Sequence, residues 1–226
     1  MAGKGRRLVR RPELASLHVR SEGVRRRRPH PALAVLRAVP FGHLVTSVDR
    51  LESTALPFLV DDELTLVSAH VARANDHWRR IDGAEALLIV PTVDAYISPR
   101  WYPTKASDAK VVPTWNYELI HVHGTVEVVH DDTWKLDTVT ALTDLNEART
   151  PGDSPAWRVD DAPDDYINKM LSAIVGLRIK VDHVEAKRKL SQNKPQHDRL
   201  GAAEALLRSD RQRDREVGSL MRSADG

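Results

Sequence analysis

Between Trp115 and Val129 the side chains alternate with a period of two over an unusually long run. Ile120, Val122, Val126 and Val128 fall on one face, and Tyr117, Leu119, His121 and His123 on the other. A long strand with one aliphatic face and one His/Tyr face suits the wall of a barrel. Shorter runs rich in β-branched residues precede it at His43–Val48, Ala55–Val60, Glu63–Ser68 and Ala84–Val90, and Asp61-Asp62 reads as a tight turn between two of them. A further strand, Leu177–Val184, sets Leu177, Ile179 and Val181 against Arg178, Lys180 and Asp182.

Helical signals sit between and around these strands. Pro31 suits the first turn of a helix through Ala32–Arg37. Asp131-Asp132 caps a second through Trp134, Leu136, Val139, Leu142 and Leu145. Ala162-Pro163-Asp164-Asp165 opens a third through Ile167, Met170 and Leu171, and Ala202–Leu220 reads as a packing helix or a frayed end. Strands dominate the first half without a βαβα rhythm, which argues for an α+β barrel over a parallel sheet.

With 226 residues and 41% hydrophobic content, the chain has material for one core, not two independent ones. The absence of cysteine excludes disulfides, zinc–thiolate sites, iron–sulfur clusters and cysteine nucleophiles. No apolar stretch approaches the roughly 20 residues of a membrane span, and the N-terminus lacks the apolar run of a secretory signal, so a soluble, cytoplasmic protein is expected. The net charge of +2 hides an arginine-rich start that includes Arg25-Arg26-Arg27-Arg28. Residues 1–29 are read as a basic tail, 30–208 as the cofactor-binding barrel, and 209–226 as a C-terminal helix or tail.

Four polar-aromatic clusters stand out. The first holds His70, Arg73, Asn75 and Trp78, and the second Tyr96, Ser98, Trp101 and Tyr102. The third holds Trp115, Asn116 and Tyr117, and the fourth Lys189, Ser191, Gln192 and Asn193. Placed in loops after strands, such residues suit a flat ligand: rings stack on it, amides read its edge, and cations meet its acidic groups. Each cluster taken alone also reads as ordinary core and loop-anchor material. His121 and His123 offer two imidazoles on one strand face to a metal, but no nearby carboxylate completes a motif, and the pair reads as packed or hydrogen-bonded. Neither a Gly-x-Gly-x-x-Gly nor a Gly-x4-Gly-Lys loop is present, which removes Rossmann and P-loop readings.

Taken in order, His-x-Ala-Arg-x-Asn at 70–75, Ala-Tyr-Ile-Ser at 95–98, Val-Pro-Thr-Trp-Asn-Tyr at 112–117 and Lys-Leu-Ser-Gln-Asn at 189–193 resemble the PaiB-like family of FMN-binding negative transcriptional regulators. The resemblance implies a flavin-reductase-like split β-barrel with flanking helices, a homodimer, and cofactor sites near the subunit interface. Two departures bear on the ligand. Thr54-Ala55-Leu56-Pro57 replaces a Thr-His-x-Pro element, and Val90–Asp94 replaces a Phe-Gln-Gly-Pro-His element.

A specialised branch of the family, the haem-dependent piperazate synthases, resembles this case, and it supplies the leading expectation. Haem b would be ligated by His70, the family's cluster residues would line the cofactor, and a small amino-acid-like substrate, N5-hydroxy-L-ornithine, would close an N–N bond with loss of water. Arg73 would hold its carboxylate, and Tyr96 or His121 would move protons. The alternative expectation is an FMN-binding regulator or a flavin or haem oxidoreductase, with DNA contacted by the arginine tail only in the regulator reading. Either way, the rim loops should converge into one slot.

Overall fold

A computed structural model describes residues 30–224. The basic segment 1–29 therefore lies outside the described residues. Helix α1 (Pro31–Ala38) begins where Pro31 allows it, and the His30 imidazole accepts a hydrogen bond from the Ala32 amide at 3.1 Å. Six strands follow: β1 (Phe41–Val48), β2 (Arg50–Val60), β3 (Leu66–Ala72), β4 (Glu85–Ile97), β5 (Thr114–Val129) and β6 (Ile174–Lys189). They close into a barrel in the order β1-β2-β3-β6-β5-β4, with every neighbouring pair antiparallel. Helices α2 (Asp132–Glu147) and α3 (Asp164–Ser172) separate β5 from β6, and α4 (Gln196–Leu207) and α5 (Gln212–Ser223) end the chain. The expected α+β class and helix-flanked barrel hold.

Alternation builds the interior. Leu44, Phe58, Val67, Leu88, Ile120, Val122, Leu177 and Ile179 point inward, and α1 adds Ala32, Leu33, Val35 and Leu36 to the same cluster. Closure of the barrel removes the sheet edges that would otherwise invite pairing with other chains. At Gly124, where the β5–β6 register shifts, a Cβ would stand 2.2 Å from the Lys180 carbonyl oxygen, so glycine lets the two backbones meet there.

Several strand boundaries differ from the sequence reading. Glu63 and Leu64 lie in the β2–β3 turn, where the Asp61 carboxylate accepts from the Thr65 and Leu66 amides at 2.8 and 2.9 Å. β3 consequently starts at Leu66 and runs through His70 to Ala72. β4 passes a bulge between Pro91 and Val93 and continues to Ile97, placing Tyr96 on a strand. Much of the expected loop chemistry thus stands on barrel walls.

Beyond that bulge β4 feeds a second, smaller cluster, in which Val93, Ala95 and Ile97 pack with Leu190, Ala202, Ala203, Leu206, Val217 and Met221. The C-terminal region is therefore neither frayed nor peripheral, since α5 buries Val217 and Met221 in this cluster. Helix α2 carries its buried side differently from the expected apolar stripe. Lys135, Thr138 and Leu142 are buried and Leu136 is exposed. The Lys135 ammonium donates to the Leu171 carbonyl at 2.8 Å and pairs with Asp132 at 2.6 Å, so its long stem covers barrel surface while its charge is satisfied.

Candidate functional site

The side chains of the first cluster hold the barrel end together. His77, buried between strands, meets the Thr46 and Thr54 hydroxyls at 2.8 Å through its two ring nitrogens. Asn75 accepts from the His77 amide at 3.0 Å and donates to Thr54 at 3.2 Å. The Trp78 indole donates to the Arg73 carbonyl at 3.0 Å. Arg73 itself donates through Nε to the Ser172 carbonyl and through Nη2 to the Ile174 carbonyl, tying β3 to the α3–β6 junction. His70 alternates outward from Val67, Ala69 and Val71, opposite Gly176, against which the Trp134 ring packs. Its Nδ1 is buried without a partner among the described residues, and burial holds its pKa below the ordinary value, leaving the ring neutral near pH 7. With Nδ1 sealed off, an incoming ligand would meet Nε2.

The second, third and fourth clusters gather at the opposite end, around the smaller core. Asn116 is fully buried. Its amide donates to the Ser191 hydroxyl at 3.0 Å and to Met221 sulfur at 3.2 Å, and the Ser191 hydroxyl donates back to its carbonyl oxygen at 3.2 Å. Ser191 takes up a left-handed backbone conformation (φ 62°), and Gln192 folds back, accepting from the Leu190 amide at 2.7 Å and donating to the Arg188 carbonyl at 3.1 Å. Asn193 lies in the same turn before α4, next to Lys194, whose ammonium stands 5.5 Å from the centre of the buried Tyr102 ring. The Tyr102 hydroxyl is buried near Ser191, and burial raises its pKa. Ser98 caps the short turn that carries Trp101.

Outward from this core lies a ledge. Tyr96 and Trp115 are 45% and 52% exposed and meet edge-on with centroids 6.1 Å apart. Beside them Tyr117 pairs with Lys189 across β5–β6, and the Lys189 ammonium donates to Thr114 at 2.7 Å. The ledge and the His70 group are not one slot within this chain. His70 stands level with Gly176 and Val129 at one end of β5, and Trp115 is at the other, about 45 Å along the strand contour at roughly 3.3 Å per residue.

Between them the outer face of β5 bears His121 and His123. Sequence spacing missed their neighbours, because these come from β6 through register: His121 faces Glu185, and His123 faces His183. Burial lowers the pKa of both His121 and His123. A cleft between α2 and α3, of about 560 Å³, lies apart from all four clusters, and its rim of Asp137, Asp144, Asp160 and Asp164 against Arg158 suits no anionic cofactor.

A family profile described as "Putative FMN-binding domain" matches residues 21–183. Protease synthase and sporulation protein PAI 2 of Bacillus subtilis is 30% identical over 186 residues, covering 80% of this chain and 85% of that protein. The chain belongs to the PaiB-like, FMN-binding-domain family. An uncharacterized protein of Saccharomyces cerevisiae is 40% identical over 85 residues, a match spanning 37% of this chain and half of that one. Among solved structures, the flavocytochrome Anf3 from Azotobacter vinelandii aligns at a TM-score of 0.48 and 15% identity, over 69% of this chain and 64% of that one. The FAD and haem binding protein from Mycobacterium smegmatis aligns at 0.48 and 18%, over 69% and 68%. Within this PaiB-like chain the departures from the family pattern are split: Leu56, Val90 and Val93 are buried, and Ala55 and Asp94 alternate outward. Ala55 is exposed on β2 opposite His43, and Asp94 faces Tyr117 and pairs with Arg213 at 3.4 Å.

No helix among the described residues is long and apolar enough to cross a membrane.

Proposed function

We propose that this chain is an FMN-binding redox protein that holds the flavin against the ledge of Tyr96, Trp115, Tyr117 and Lys189. The observation that carries this reading is the exposed aromatic pair beside a cation on the barrel's outer face, in a chain of an FMN-binding family. Those residues fit the group. Tyr96 and Trp115 offer ring surface, and Lys189 lies within reach of a phosphate. Bound FMN supplies one- and two-electron transfer, and the chain's own part is to stack, to neutralise the phosphate and to keep water from one face of the ring. A second copy of the chain covering β1, β4 and β5 supplies the remaining wall, which makes the working unit a homodimer. The regulator form of this reading adds a DNA contact by residues 1–29, read out as salt-dependent binding that disappears when they are deleted.

Titration with FMN, followed by flavin fluorescence, tests the reading. Wild type binds, and Trp115→Ala and Lys189→Ala each weaken binding by roughly tenfold, about 1.4 kcal/mol. Wild type that takes up no flavin, or variants that bind as well as it does, would overturn it.

A second reading rests on His70, whose outward, neutral imidazole lacks a partner at Nδ1 among the described residues. Here the cofactor is haem b, with His70 as the iron ligand through Nε2, and the reaction is closure of N5-hydroxy-L-ornithine to L-piperazate. The N–N bond forms between the α-amine and N5 as the N–O bond breaks, and hydroxide leaves with the amine proton as water. Arg73 has two of its donors committed to backbone carbonyls, and Tyr96 and His121 stand at other levels of the barrel, so within one chain His70 alone serves this site. A Soret band in protein expressed with a haem precursor, lost in His70→Ala, supports this reading, and a haem-free protein removes it.

A further inference from the structure

Midway along β5 the barrel wall carries a group that neither cofactor reading uses. One nitrogen each from His121 and His123 and one carboxylate oxygen of Glu185 lie within 4.8 Å of one another on the outer face. We infer that His121, His123 and Glu185 form a binding site for a divalent transition-metal ion, with zinc the ion its donors suit. Two imidazoles and one carboxylate are a recurrent zinc set that leaves a position for water. The strand supplies the pair: residues two apart share a face, and the antiparallel register brings Glu185 directly opposite His121.

Three features set the cluster apart from a chance gathering of polar side chains. First, the Nε2 of His123 is buried and has no hydrogen-bond partner among the described residues. A packed histidine ordinarily satisfies such an atom, because leaving it unpaired costs about 1–3 kcal/mol. Second, the His183 ring stacks on His123 with centroids 4.1 Å apart and planes at 11°, which restricts the orientation of the His123 ring. Third, a cation already stands against two of the three donors. The Lys187 ammonium lies 3.3 Å from His121 Nδ1 and 3.2 Å from a Glu185 carboxylate oxygen, while that oxygen is 3.8 Å from the same His121 nitrogen. The lysine side chain is half exposed and can swing into solvent, so it competes with a metal without blocking it.

Closure around the ion requires small movements. Ligand atoms about 2.0–2.1 Å from zinc stand roughly 3.3 Å apart in a tetrahedral arrangement, so donors now within 4.8 Å of one another draw together by up to about 1.5 Å, within the range of side-chain rotation. The site is six residues, roughly 20 Å of strand contour, from Trp115, and it stands whether or not flavin binds the ledge.

Zinc titration of the full chain in competition with a chromophoric chelator tests the assignment. One zinc binds per chain; His121→Ala and His123→Ala each weaken it by tenfold or more; Lys187→Met tightens it several-fold by removing the competing ammonium. His197→Ala, which removes an exposed histidine on α4, leaves binding unchanged. Circular dichroism of the metal-free variants establishes folding. Should His123→Ala fail to fold, Glu185→Gln and Lys187→Met carry the test, the first weakening binding and the second strengthening it. Wild type that does not compete with the chelator, a loss in His197→Ala equal to that in His121→Ala, or weaker binding in Lys187→Met would each overturn the site.

Discussion

Asn116 and His121 stand five residues apart on the same strand, each reaching a partner on or just past β6, yet they end in opposite conditions. Asn116 points inward, and Ser191 and Met221 use its hydrogen-bonding capacity in a fully buried cluster. His121 points outward to Glu185 and Lys187, and its neighbour His123 keeps a nitrogen without a partner among the described residues. Strand parity makes the difference. An even-numbered polar residue here must be satisfied inside the fold, whereas an odd-numbered one remains available to a ligand. A motif's distinctiveness therefore does not by itself tell whether it serves the fold or the chemistry. Trp115-Asn116-Tyr117 does both, with Asn116 locking the second core and its flanking rings forming the ledge.

The sharpest way to break this contrast is to truncate Asn116. Asn116→Ala removes the partner of a buried hydroxyl and leaves a void beside Met221, at a cost of about 2–4 kcal/mol, which for a chain of this size lowers Tm by roughly 5–15 °C. Differential scanning calorimetry reads it directly, and a shift within a degree or two would show that the pair is dispensable.

A smaller effect comes from acid. His77 is another inward polar residue, held between Thr46 and Thr54, and burial lowers its pKa from the ordinary 6.5. The folded chain thus prefers the neutral ring, and protons bind the unfolded chain more tightly. The stability from this site is fully present above about pH 6.5 and is lost as pH falls from there through the lower folded-state pKa. Melting curves across this window should show wild type losing more stability than His77→Gln. Parallel curves would remove His77 as the cause.

The smallest effects on stability belong to the open wall. In cofactor-free protein, Tyr96→Ala and Trp115→Ala should each change stability by no more than about 0.5 kcal/mol, because both side chains are about half exposed. A loss comparable to that of Asn116→Ala in either variant would erase the distinction between the two faces.

How far the sequence reached depends on whether the signal was local. The period-two run in β5, the Asp131 cap of α2, and Pro31 at the start of α1 are set by neighbouring residues, and each appeared where expected. The extension of β4 through Pro91 was hidden, because a proline reads as a strand breaker until a bulge accommodates it. The buried stripe of α2 was misread because a lysine stem can cover apolar surface as a leucine does.

The sequence by itself determined which residues share a strand face, where the main helices begin, and to which family the chain belongs. Only the tertiary structure decided that Glu185 stands beside His121, that Ser191 answers Asn116, and that His70 and Trp115 occupy opposite ends of β5. Those relations depend on register between strands far apart in the chain, and a one-residue slip would exchange the inner and outer faces.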